Sequence, residues 1–177
     1  MSRRDDRPRH YVRDAARADL EAVLAMKARA WREAYGSVRD EAFFAAAEAS
    51  LPGQLEHWRR ELARGTALWL AEDARGRCVG MAAAGPAREP DGGAGTSLPA
   101  LELYSLHVLE EAQGTGVADA LLERAIGDAP CRLSVPAVDA RARALYRRHG
   151  FVEVGDPEPM TGPWAGLDAQ RMVRRGA

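Results

Sequence analysis

Leu101–Gly116, LELYSLHVLEEAQGTG, followed by Val117–Gly127, VADALLERAIG, is the passage from which the rest of the chain is read. Leu101, Leu103, Tyr104, Leu106 and Val108 form an apolar, β-prone run that Gly114 and Gly116 then interrupt, so a strand ends in a glycine turn and a helix begins. The first-turn amides of a helix lack intrahelical acceptors, and the helix dipole adds partial positive charge there. Glycine leaves no Cβ in the way, so the turn Gln113–Ala118 suits an anion, of the kind a nucleotide-like cofactor carries. Two better-known phosphate fingerprints fail: a dinucleotide fold wants a small residue where Asp119 stands, and a P-loop wants Gly-Lys-Ser/Thr. A Gly-x-Gly turn alone would equally fit a plain tight connection.

What remains is the pattern Gln-x-x-Gly-x-Ala, as Gln113, Gly116 and Ala118. It resembles motif A of the GNAT family of acyl-CoA-dependent N-acetyltransferases. Downstream, Asp139-Ala-Arg-Ala-Arg-Ala-Leu-Tyr-Arg-Arg-His-Gly-Phe151 is similar to the family's motif B, a helix carrying a tyrosine and closing on Gly-Phe. The resemblance covers most of Tyr11–Arg174 and is specific from Leu101 to Phe151.

Composition is compatible with one globular domain: 177 residues, 46% hydrophobic and 29% charged. Residues 1–9, where Arg and Asp alternate around a proline, read as a solvated tail, and 10–175 as the single domain. A net charge of −1 and arginines interspersed with acids speak against a nucleic-acid binder. Lys27 is the only lysine. Cys78 and Cys131 form no CxxC pair and read as buried free thiols in a reducing compartment, and His10 and His57 lack partners at metal-ligand spacing, so no metal site is expected. With neither a secretion signal nor an apolar run long enough to span a bilayer, the expectation is a cytoplasmic protein that does not engage membranes.

In chain order, Tyr11–Ala15 reads as a first strand and Asp19 as the cap of a helix running to Tyr35 and Gly36. Asp40–Glu48 and Leu51–Leu62 read as two further helices, the second ended by Gly65. Thr66–Glu72 and Arg77–Ala83 read as a hairpin about Asp73–Gly76, and Gly85–Pro99 as a mobile loop and candidate lid. After the central strand and helix come a strand at Cys131–Val135, a helix at Asp139–Arg148, a strand at Phe151–Gly155, a loop at Pro157–Gly166 and a final strand at Asp168–Arg174. The alternation implies α/β. The resemblance implies a mixed, mostly antiparallel sheet of six to seven strands flanked by helices, with a splayed parallel pair at its centre.

For function, the resemblance implies acetyl-CoA as cofactor, its pyrophosphate on the backbone of Gln113, Gly114, Thr115, Gly116, Val117 and Ala118. Its pantetheine arm would pair with the main chain of Leu106, His107 and Val108, like a strand added to a sheet edge. A bulge near Tyr104–Leu106 would part the central strand from its parallel neighbour, and a freed amide of Leu106 or Val108 would stabilise the developing oxyanion. Direct attack by an amine raises two proton problems, since an alkyl amine with a pKa of about 10.4 is neutral to only about one part in a thousand at pH 7. The resemblance points to Glu102 as the base, directly or through water, with Glu33, Glu110 and Glu111 as alternatives, and to Tyr146 as the acid for the leaving sulfur, with His149 as fallback. Asp139 stands where relatives commonly carry an asparagine that hydrogen-bonds the cofactor, so the resemblance counts it among the cofactor-binding residues, although a carboxylate suits helix capping better. Arg141, Arg143, Arg147 and Arg148 are candidates for the 3′-phosphate or simply a solvated face. Trp31 and Tyr35 share one helix face and either pack the core or line the acceptor site. The acceptor, a small-molecule or peptide amine, is not specified by the sequence, and relatives commonly pair as homodimers. A non-catalytic acyl-CoA-binding module of the same fold is the alternative reading.

Overall fold

The structure, a computed structural model, describes residues 10–88 and 98–176. The expected tail and the middle of the expected lid lie outside those residues. Strands β1 (His10–Asp14), β2 (Ala67–Asp73), β3 (Cys78–Pro86), β4 (Leu101–Val108), β5 (Cys131–Pro136), β6 (Val152–Glu153), β7 (Glu158–Pro159) and β8 (Asp168–Arg174) form one sheet in the order β1-β2-β3-β4-β5-β8-β6, with β7 also on β8. Helices α1 (Leu20–Tyr35), α2 (Glu41–Ala49), α3 (Leu51–Ala63), α4 (Val117–Ile126) and α5 (Ala140–Arg148) flank it. β1 pairs antiparallel with β2, and β5, β6 and β7 each pair antiparallel with β8. The central pair β4 and β5 is parallel, with Glu102 opposite Arg132.

The sheet has eight strands where six or seven were expected. Glu158 and Pro159 sit opposite Ala169 and Asp168 inside the segment read as a loop. A two-residue strand carries no alternation of its own, so only its partner reveals it. Gly85, read as the start of the lid, is still within β3. A Cβ built there would meet the Tyr104 hydroxyl at 2.7 Å, so glycine at this position lets the phenol cross the strand and donate to the Pro86 carbonyl.

The chain forms two compact units, one from the residues up to Ala82 with Leu106–Arg124, the other from Ala83–Ser105 with Ala125 onward. In the first, α1 packs on α2 and α3, and its apolar positions Leu20, Val23, Leu24 and Met26 are buried. Val117 and Leu121 of α4 lie so close to β3 that a Cβ on Gly80 would meet them at 3.2 and 2.9 Å. Asp19 does not cap α1 with its side chain. Its carboxylate accepts from the Ala16 N–H at 2.7 Å and from the Arg13 guanidinium at 2.7 and 2.8 Å, and Arg13 also reaches Glu72 at 2.6 Å. A strand residue thus outcompetes the local helix end, which spacing alone does not disclose. Asp40 does cap α2, accepting from the Phe43 N–H at 3.0 Å. In the second unit the core gathers Cys131, Leu133, Val135, Tyr146, Phe151, Met172 and Val173. Among the described residues, no helix is long and apolar enough to cross a membrane.

Candidate active site

Within the first unit, β4 ends at Val108, a 3₁₀ turn covers Glu110–Ala112, and the glycine turn leads into α4. Gly114 and Gly116 adopt φ of +74° and +88°, a region L side chains rarely enter, which is why glycines stand there. Gln113 turns its amide back to donate to the Val108 carbonyl at 3.1 Å, and Thr115 donates its hydroxyl to the Ala112 carbonyl at 2.6 Å. Both side chains therefore brace the turn. Among the described residues, none of the main-chain N–H groups of Gly114, Thr115, Gly116, Val117 and Ala118 donates a hydrogen bond. A Cβ on Gly114 would meet nothing within 4 Å, so the space beside it is open. A row of free amides at the start of a ten-residue helix is a seat for a phosphate group, and the residues present fit a diphosphate.

Two side chains of α1 fasten the helix to this region. Glu33 accepts from the Glu110 N–H at 2.7 Å while pairing with Arg29 at 2.8 Å, and the Trp31 indole N–H donates to His107 Nε2 at 3.3 Å. An imidazole that accepts at Nε2 is neutral, with its proton on Nδ1. Desolvation, and secondarily the charge of Lys27, lower the His107 pKa from 6.5 to about 3. The sequence singled out only the main chain of His107; its side chain contacts a residue 76 positions away, beyond the reach of any local pattern. Tyr35 is buried at 6% exposure, whereas Trp31 is only half-buried.

Because the folded chain resists protonating His107 and the unfolded chain does not, the unfolded state binds more protons between about pH 3 and 6.5. The contribution of this residue to stability is complete above pH 6.5 and declines as the pH falls through that window. Replacing His107 by glutamine should flatten the acid side of a plot of unfolding midpoint against pH, relative to the unmodified chain. Parallel curves for the two proteins would contradict the assignment.

The second unit holds Glu102, Asp139 and Tyr146. Glu102 accepts from the Arg88 backbone N–H at 2.8 Å and from its guanidinium at 3.1 Å, and the same guanidinium lies 4.1 Å from the Tyr104 ring centroid. Asp139 caps α5, accepting from the Ala142 N–H at 2.9 Å. Tyr146 is 6% exposed and packs edge-on against Phe151 at 5.7 Å between centroids. Among the described residues its hydroxyl makes no hydrogen bond. Burial, then the negative charge of Asp139, raise its pKa well above the usual phenol value, so it is a protonated donor throughout the neutral range. Arg143 and Arg147 converge on Glu153 at 2.7 and 2.5 Å, which commits two of the four arginines considered for a phosphate.

Comparison with known proteins bears on this geometry. The family model described as an acetyltransferase (GNAT) domain matches residues 64–153, half of the chain. The chain belongs to the GNAT acetyltransferase family. No curated protein matches its sequence. Among solved structures it is similar to a histone acetyltransferase HPA2 and related acetyltransferase from Corynebacterium glutamicum (24% identity, 95% of this chain and 97% of that one, TM-score 0.69). It is similar also to a ribosomal-protein-alanine N-acetyltransferase from Brucella melitensis (25%, 93% and 99%, 0.64). A third is YncA from Salmonella typhimurium, solved with its cofactor acetyl-CoA (20%, 94% and 94%, 0.65).

Proposed function

We propose that the protein transfers an acetyl group from acetyl-CoA to a primary amine of a small molecule or peptide. The observation that carries this reading is the row of undonated amides from Gly114 to Ala118, opened by two glycines at positive φ, in a chain of this family. Those amides hold the pyrophosphate, and the main chain of Leu106, His107 and Val108 aligns the pantetheine arm. Acetyl-CoA supplies the acetyl group already activated as a thioester.

The remaining work falls to side chains. Tyr146 donates its phenolic proton to the departing sulfur: its raised pKa keeps that proton in place at neutral pH, and its hydroxyl is unengaged among the described residues. Glu102 accepts the proton of the incoming amine, directly or through a water, once its carboxylate parts from Arg88. Glu33 is less available, because it is already fastened to Arg29 and the Glu110 amide. Trp31 lines the acceptor side, and Tyr35 supports it from the core.

Glu102→Gln should lower kcat/KM for an alkyl amine by roughly a hundredfold, the lower end of what a positioned acid or base contributes, while coenzyme A affinity holds. A rate within about twofold of the parent enzyme's would take Glu102 out of the reaction, given that general bases contribute far more than that. The reading as a whole is tested by mixing the pure protein with acetyl-CoA and a panel of amines. Acetylated amines by mass spectrometry, with free thiol released in equal amount, are the expected result. Coenzyme A binding without any acetylated product would instead describe a non-catalytic acyl-CoA-binding module.

A further inference from the structure

Lys27, the only lysine of the chain, lies one helical turn before Trp31 on α1. Its ammonium stands 4.7 Å from the Trp31 ring centroid and donates to Gln54 Oε1 of α3 at 3.3 Å. The side chain is half-buried, and its charge is felt at His107. The other cations of α1 are neutralised: Arg29 by Glu33 and Glu111, Arg32 by Glu41 and Glu48. Among the described residues, no carboxylate lies within ion-pair distance of Lys27. Desolvation alone lowers its pKa below the ordinary lysine value.

A half-buried ammonium without a counter-ion is held at a free-energy cost that a ring face and one long amide contact offset only in part. One of its three donors remains to be filled. The neighbours that could be cationic are not, since His107 is neutral, so the cluster carries one positive charge and offers it to an anion.

We infer that Lys27 receives the carboxylate of the acceptor, so that the acceptor is an amine bearing an acid group, of the amino-acid class. This rests on the proposed function, in which Trp31 lines the acceptor side. Polyamines and aminoglycosides, which bring further positive charge toward the ammonium, are disfavoured by the same geometry.

The test pairs each of several L-amino acids with its own carboxamide, which keeps the amine and removes the acid. Thiol release from saturating acetyl-CoA should give kcat/KM about tenfold or more in favour of the acid, the effect of one charge-assisted hydrogen bond. Lys27→Gln should bring the ratio close to one, and Lys27→Arg should preserve most of it. A second readout does not depend on turnover. Protein grown with ¹³C-lysine gives a single lysine side-chain signal, which the amino acids should shift and the carboxamides should not. Equal use of acid and amide, a ratio untouched by Lys27→Gln, or a lysine signal that no acid moves would overturn the inference. Amine acetylation without that preference leaves the acetyltransferase reading standing, whereas a protein that fails to bind acetyl-CoA ends that reading and leaves the lysine titration to decide the subsite.

Discussion

Replacing Gly116 by aspartate should weaken coenzyme A binding by about a hundredfold or more, the equivalent of losing one or two charge-assisted hydrogen bonds. Two effects combine. Gly116 sits at φ +88°, where any residue with a Cβ is strained, and relieving that strain rotates the neighbouring amides away from a common focus. The carboxylate then puts negative charge where the pyrophosphate is to be held. Space is not the obstacle, since a Cβ at Gly116 meets only His10 Cε1, at 3.9 Å. Gly116→Ala separates the two effects: it carries the strain without the charge and should lose about tenfold, within the 1–3 kcal/mol such strain represents. Calorimetric titration with coenzyme A, alongside a thermal melt to establish folding, measures both. Parent affinity in a folded Gly116→Asp protein would remove the turn from the binding site.

Tyr146→Phe should reduce kcat by about 10²- to 10⁴-fold, the range over which a positioned general acid contributes, with coenzyme A affinity intact. The ring remains, so its edge-on packing against Phe151 is kept. Because the hydroxyl makes no hydrogen bond among the described residues, removing it should leave the unfolding midpoint essentially unchanged. That combination of a large rate effect and no stability penalty distinguishes a proton donor from a packing tyrosine. Unchanged turnover would assign the residue to the core, and His149 would become the donor to examine.

The turn and the two motifs were legible in the sequence because their causes are local. A glycine at positive φ, a first-turn amide and a capping aspartate such as Asp139 act within a few residues of themselves, and each stands where it was expected. What the local sequence does not disclose depends on partners far along the chain. Asp19 has the position of a cap, but Arg13 claims its carboxylate, and β7 becomes a strand only through Ala169 and Asp168. Lys27, Trp31, Gln54 and His107 come from three elements, and none of the four announces the others.

The strand Asp168–Arg174 takes β5, β6 and β7 as partners, and Arg174 adds bonds to the carbonyls of Gly127 and Ala129 at 2.5 and 2.8 Å. During synthesis, then, a chain polymerised as far as Leu167 holds three strands still waiting for the ladder that joins them. Chains interrupted before Asp168 would present the unpaired edge of Cys131–Pro136 to one another and aggregate, while those that pass it can close this part of the sheet in a single step.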